Sequence, residues 1–358
     1  MKTGILAQLP AQAAVVVIRL RSLGDTVLTT PALALLKQAR PDLRIIAVLE
    51  RPFDQLLTGN PDVARVLSIS QTAGLAEKSK LLREIRSERP QLCLNLHGGS
   101  TSAWLTALSN ARFRAGFGHY RNRFIYNVSI PRAQEVLGRA TNDPVHTAEH
   151  LASAVFHLGV PRSEIPRARL RAEPIKPPLE ISRPYAVLHV TAAYFTKQWA
   201  AERFGQVAEY LRGRGLEPIV LAGPGEEAVF KQFPGLTGFA GRPLDWLQSL
   251  VAGASLFVGN DSGPAHIAAA FGVPAVVIFG SSNSKAWRPW KSPHAVVETD
   301  WDCKPCAGDR CYAFDEPRCI LSVEVAAVCA AIERLLYEKP HNQGDGPDQP
   351  DDSNQAPA

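Results

Sequence analysis

The sequence predicts an α/β protein made of two domains in tandem, each with a parallel sheet between helices. Three observations carry this reading. Short β-branched runs alternate with helical patterns along most of the chain, as parallel α/β units require. The alternation breaks once, at a Pro-rich segment near the middle, and then restarts. The chain has 358 residues, 46% of them apolar, which exceeds a single domain of roughly 100–200 residues.

After residues 1–12, read as an N-terminal extension, the first domain spans 13–172. Its strands are 13–20 (AAVVVIRL), 44–50 (RIIAVLE), 64–70 (ARVLSIS) and 92–98 (LCLNLHG). Helical periodicity marks 30–41 and 75–90, and each run stops at a proline, which cannot continue the hydrogen-bond ladder. Residues 173–184 form the expected linker. It lies within 171–185, where four prolines in fifteen residues make a stiff extended segment. The second domain, 185–321, has strands at 185–190, 217–223, 255–260 and 274–280, separated by helical stretches. A closing helix is expected at 322–339. Residues 340–358 hold almost no apolar side chains and read as a disordered acidic tail.

Charge narrows the function. The net charge is +5; the tail from 341 onward contributes −4 through Asp345, Asp348, Asp351 and Asp352, so the rest carries +9. Most of the basic residues are arginines, which grip phosphates and carboxylates through two N–H groups at once. The excess fits either a solvated basic surface or an anionic partner: nucleotide, nucleic acid or anionic lipid. No apolar run approaches the roughly 18 residues of a membrane span. The opening residues, MKTGILAQLPAQA, lack the apolar core of a secretory signal. The expected address is the cytoplasm.

Two strand ends carry the chemistry. The first strand runs into Ser22-Leu23-Gly24-Asp25, at the carboxyl end where open α/β sheets bind ligands. Gly24 allows close approach to the backbone, and Asp25 is either a helix cap or a catalytic carboxylate. In the second half a strand ends in Asn260-Asp261-Ser262-Gly263 and a small-residue helix follows from Pro264. Free N–H groups and the helix dipole there suit a pyrophosphate, with Ser262 and His266 adding donors. Asp261 would repel an anion unless it accepts from a ribose hydroxyl or from backbone amides. Lys197, after another strand, can neutralise a leaving group's charge or simply sit in solvent. The turn at 223–227 (GPGEE) offers Glu226 or Glu227 to ribose hydroxyls, or only begins a helix. Neither three-glycine dinucleotide turns nor a Walker A loop occur.

The stretch 112–124 (RFRAGFGHYRNRF) interleaves Arg112, Arg114, Arg121 and Arg123 with aromatics. It reads as a basic surface hairpin, as a clamp for an anionic acceptor, or as a single-strand nucleic-acid platform. Of six cysteines, Cys303, Cys306, Cys311 and Cys319 cluster as C-x2-C-x4-C-x7-C, which suggests structural zinc. Cys93 and Cys329 read as core. Asp300-Trp301-Asp302 spells D-x-D beside the cysteines and is taken as chance.

From Val15 to Leu336 the chain resembles glycosyltransferase family 9, the ADP-heptose:lipopolysaccharide heptosyltransferases. The resemblance rests on IRLRSLGDTVLTTPALALLKQARP, HVTAAYFTKQW, AGPGEE, the block from FAGRPLDW to VPAVVIFG, and the C-x-P-C cluster. It implies a GT-B fold: two Rossmann-like domains with parallel sheets facing a central cleft, acceptor on the first and sugar nucleotide on the second. It implies Asp25 as general base and inversion by single displacement. The implied donor-binding residues are Thr191, Lys197, Glu226, Asp261, Ser262, Gly263 and His266. Ser22, Gly24, Arg112, Arg121 and Arg123 would face the acceptor. No cofactor is then required for catalysis, zinc at the cysteines being structural. The implied partners are ADP-heptose or a related nucleotide sugar and an anionic glycolipid acceptor, with peripheral contact to the cytoplasmic face of the inner membrane. A monomer is expected and nucleic acid is not. The alternatives are a transferase of the same fold using another nucleotide sugar for a surface polysaccharide, and a non-catalytic nucleic-acid-binding protein.

Overall fold

The computed structural model describes residues 4–171, 181 and 183–337. The first sheet contains β1 (Ala14–Ile18), β2 (Arg44–Glu50), β3 (Arg65–Ile69), β4 (Leu92–Asn95), β5 (Phe113–Phe117) and β6 (Val128–Ile130). The second contains β7 (Tyr185–His189), β8 (Glu217–Ala222), β9 (Thr237–Ala240), β10 (Leu256–Asn260), β11 (Ala275–Ile278) and β12 (His294–Val297). Every pairing is parallel, and the orders are β3-β2-β1-β4-β5-β6 and β12-β11-β10-β7-β8-β9. These are the same topology used twice. Each order reverses once, between β1 and β4 and between β7 and β10, and ligands bind outside the strand ends at such switch points.

The helices of the first half are α1 (Leu23–Ala39), α2 (Leu75–Ser87), α3 (Ser100–Leu108), α4 (Ala133–Leu137) and α5 (Thr147–Leu158). Those of the second are α6 (Ala201–Gly213), α7 (Leu244–Ala252), α8 (Gly263–Phe271), α9 (Ser284–Trp287), α10 (Arg318–Leu321) and α11 (Val325–Tyr337). Central strands are covered on both faces: every residue of β1, β4, β10 and β11 is buried, which is why they read as unbroken apolar runs.

Helix α1 begins well before the expected position 30 and runs through Pro31. Proline cannot donate to the Val27 carbonyl, but the Thr30 hydroxyl donates to it at 2.8 Å, so the turn keeps a bond. The helix touches α5 on one side and α8 on the other. Leu28, Leu33, Leu35 and Leu36 are buried in an apolar cluster that also holds Leu250, Phe257 and Ile267 of the second half. One core therefore passes beneath the cleft. Separate clusters cover the outer face of each sheet.

Several expectations change. The stretch 112–124 is not a surface hairpin, because 113–117 is β5, hydrogen-bonded between β4 and β6. Residues 4–12 of the expected extension pack against the first half. Leu6 and Leu9 are buried, and Arg40 donates to the carbonyls of Leu6 at 2.7 Å and Pro10 at 3.1 Å. Of the linker expected at 173–184, only residues 181, 183 and 184 lie among those described. The expected tail, 340–358, lies outside them. The closing helix is seen as α11, packed on α6, β11 and β12. Among the described residues no helix is long and apolar enough to cross a membrane.

Candidate functional site

The site forms where the N-terminus of α1 meets that of α8. Asp25 is the third residue of α1, and its Oδ2 accepts from the Ser22 backbone N–H at 3.1 Å and the Ser22 hydroxyl at 3.0 Å. Its other oxygen, Oδ1, is paired with the Arg19 guanidinium, which also donates to the Leu96 carbonyl. Ser22 is the cap residue itself, and Asp25, from the third position, completes a capping box with it; His97 and His266 both lie close enough to feel the carboxylate's charge. His97, two residues past β4, is a neighbour that sequence reasoning passed over. Burial, with Arg19 and Arg21 nearby, holds its imidazole down to about 4, so it is neutral near pH 7.

Across the junction the contact is tight. A Cβ on Gly24 would lie 2.7 Å from Cδ2 of His266, and one on Gly263 would lie 2.6 Å from Cδ2 of Leu23. Each helix therefore offers a glycine to a side chain of the other. His266 is buried, and that burial pushes its pKa down although Asp261 and Asp25 oppose the shift. Its Nδ1 has no hydrogen-bond partner.

The second half supplies a polar cluster. Lys197 donates to Oδ2 of Asp261 at 2.8 Å, and the Ser282 hydroxyl donates to the same oxygen. Asn260 ties the loops together: its Nδ2 donates to the Val190 carbonyl at 3.0 Å and its Oδ1 accepts from the Trp199 N–H at 3.0 Å. Ser262 is 3.0 Å from Nδ1 of His189, a buried imidazole held down to about 4 by desolvation. The expected Asp261, Ser262, Gly263, His266 and Lys197 are thus brought together at one helix start.

Beside them lies a cavity of ≈ 380 Å³ bounded by Thr191, Glu226, Ser262 and Gly263. The Gly223 N–H donates to Thr191 Oγ1 at 3.0 Å and to Glu226 Oε2 at 2.8 Å. Between the two glutamates, Glu226 is the one at the cavity. Its far wall was not read from the sequence: Phe239 and Trp246 meet edge-to-face with ring centres 4.9 Å apart. The Arg242 guanidinium lies 5.4 and 5.5 Å from those rings. Such a wall suits a flat aromatic group.

The arginines expected on the acceptor side lie at the two ends of β5. Arg112 precedes β5 and so sits at the amino end of the strand, away from the cleft, with its guanidinium 4.8 Å from the Phe113 ring. Arg121 and Arg123 follow the carboxyl end of β5 and are exposed. Asp300, Trp301 and Asp302, taken as chance, border a second cavity of ≈ 500 Å³ that shares Ser282 with the Asp261 cluster.

The four clustered thiols do not close around one point. Cys303 and Cys306 are exposed, Cys311 is half-buried and Cys319 buried. Among the described residues no group of three or more His, Cys, Asp or Glu is placed to hold a metal ion. Burial first, then Lys304 in opposition and the adjacent Cys303 and Cys306 in support, leave the Cys319 thiol pushed up.

The profile described as glycosyltransferase family 9 (heptosyltransferase) matches residues 78–314. Lipopolysaccharide heptosyltransferase 3 of Escherichia coli is 29% identical over 333 residues, covering 87% of this chain and 96% of that protein. The structure of the E. coli ADP-heptose lps heptosyltransferase II superimposes with a TM-score of 0.74 at 18% identity, covering 90% of this chain and 98% of the other. An E. coli heptosyltransferase bound to ADP-2-deoxy-2-fluoro heptose gives a TM-score of 0.68 at 20% identity, covering 90% and 99%. These likenesses establish the GT-B arrangement of two Rossmann-like halves.

Proposed function

The chain belongs to glycosyltransferase family 9, and from that premise we propose that it transfers a heptose from ADP-heptose to an acceptor of the lipopolysaccharide inner core. The observation that carries this is the meeting of Asp25 on one half with Lys197, Asp261 and His266 on the other, at two touching helix N-termini. The relatives named above are lipopolysaccharide heptosyltransferases, which supports both the sugar and the acceptor class.

In this reading adenine lies against Phe239, Trp246 and Arg242, and Glu226 accepts from ribose hydroxyls. The diphosphate meets the free N–H groups that begin α8, whose partial positive charge favours an anion. Lys197, released from Asp261, neutralises the charge that grows on the leaving phosphate. Asp261 is then free to accept from sugar hydroxyls. Asp25 takes the proton of the acceptor hydroxyl as that oxygen attacks the anomeric carbon. The bond to ADP breaks on the opposite face, so configuration inverts. Arg19 and Ser22 hold the carboxylate in place, and neutral His97 lies beside the acceptor path.

The test is transfer from ADP-heptose to a short inner-core acceptor, with anomeric configuration read by NMR. Retention of configuration, or thermal stabilisation by UDP- or GDP-sugars but not by ADP-sugars, rejects the proposal. Zinc at Cys303, Cys306, Cys311 and Cys319 is a separate proposal, requires the loop to close on Cys319, and serves no step above. A metal content near zero with free thiols, in protein purified without chelator, rejects it.

A further inference from the structure

The flank of the first half carries an apolar strip that no other element covers. Trp104 and Leu108 lie four residues apart on α3 and so share a face; they are 62% and 44% exposed. Phe124, 78% exposed, sits on the short turn at Arg123–Ile125, which packs beside α3. Large apolar side chains grouped at a surface mark a binding site. The strip also lies in the most one-signed stretch of the sequence. Between Glu88 and Glu135 there is no acidic residue, and there are six arginines. Arg121 and Arg123 flank Phe124 along the chain, Arg112 follows Leu108 by four residues, and all three are exposed. Among the described residues none of the three is paired with a carboxylate.

We propose that this strip, Trp104, Leu108 and Phe124 together with Arg112, Arg121 and Arg123, docks the protein on an anionic lipid surface. A tryptophan and a phenylalanine flanked by arginines match the layered chemistry of a bilayer interface, where aromatic rings sit at headgroup depth and guanidinium groups meet phosphates. An acidic protein partner would supply the charge complement but no acyl boundary for Trp104 and Phe124. The position is also apt. The Tyr120 hydroxyl donates to the Leu96 carbonyl at 3.1 Å, the carbonyl that also holds Arg19 behind Asp25. The turn carrying Arg121 is thereby tied to the cleft, and α3 descends from it over about 13 Å at 1.5 Å per residue. A lipid-borne acceptor could leave its chains in the membrane while its sugar reaches Asp25. This inference rests on the glycolipid-acceptor reading above.

The test is flotation of the full chain with phosphatidylcholine vesicles, with and without phosphatidylglycerol, at low and high salt. The chain should float with the anionic vesicles only, and less at high salt. Each arginine near an anionic surface contributes about 1 kcal/mol, about a fivefold change in partition. R121Q/R123Q should therefore weaken binding about 25-fold, and W104S/F124S at least tenfold. W104S/F124S removes only exposed side chains and should melt and bind ADP as the parent does. Absence of flotation, flotation untouched by either pair of substitutions, or preferential binding of a single-stranded oligonucleotide overturns the proposal. ADP binding separates the two failures. A chain that binds ADP but no vesicle loses only the docking surface, whereas one that binds vesicles but no ADP loses the transferase reading.

Discussion

Replacing Asp25 with asparagine separates its two roles. The amide keeps the size and still accepts from the Ser22 N–H, now at 3.1 Å, so the helix start should hold. What disappears is the charge facing Arg19. That pair has side chains 15% and 14% exposed, between the surface case of about 0–1 kcal/mol and the buried case of about 3–5 kcal/mol. A loss of about 2 kcal/mol is expected, against a total stability of about 5–15 kcal/mol. The variant therefore stays folded at 25 °C. Its rate should fall far more than its stability implies, because a general base contributes about 10²–10⁴-fold, or about 3–5 kcal/mol of barrier. The assay is ADP release with both substrates saturating, beside calorimetric titration of ADP. ADP affinity should stay within about threefold, since the cavity proposed for the nucleotide is lined almost wholly by the other half. A folded D25N variant with kcat within tenfold of the parent refutes the assignment of Asp25 as base. One that loses ADP binding instead assigns Asp25 to the donor.

Three further outcomes follow from the same geometry. Gly24→Ala gains up to about 1 kcal/mol of helix propensity but sets a Cβ 2.7 Å from the buried His266 ring. Overpacking costs about 1–3 kcal/mol, so the melting temperature should drop, and an unchanged melt contradicts the tight contact. Lys197→Met should weaken ADP binding at least tenfold, about 1.4 kcal/mol, with partial recovery in Lys197→Arg; equal affinities would remove Lys197 from the donor site. Burial holds His146 and His189 down to about 4, below the usual value of about 6.5. Between those values the unfolded chain binds the extra protons, so stability is full above about pH 7 and falls as pH drops toward 4. Urea unfolding should lose about 2 kcal/mol per histidine between pH 7 and 5, and His189→Gln should flatten part of that slope.

The legible parts of the molecule are those where local chemistry decides. The S-x-x-D spacing of Ser22 and Asp25 is both a cap and a carboxylate at a strand end, and the structure realises it. The start of α8 was readable because Ser262, Gly263 and Pro264 are start residues whatever surrounds them. Partners fixed by how the loops fold back left no such trace. Arg19 reaches Asp25 and Phe239 meets Trp246 within one half each, and Ser282 reaches Asp261 because β10 and β11 lie side by side, so none of these pairs shows as a sequence pattern. β5 was misread because FRAGF breaks its apolar pattern with an arginine and a glycine. Gly116 is needed there, since a Cβ would lie 2.4 Å from the Tyr126 ring. The short strands β9 and β12, with half-buried positions, likewise lack the continuous apolar run that marks a central strand.

The reciprocal seating of Leu23 over Gly263 and His266 over Gly24 makes the junction a dovetail. Such a joint resists sliding, because any lateral slip drives a side chain into helix backbone. The positions of Asp25 and of the start of α8 relative to each other are therefore fixed by the joinery itself. It also sets a condition for hybrids between relatives: an exchanged half seats only if its glycine and its protruding side chain both match those of its new companion.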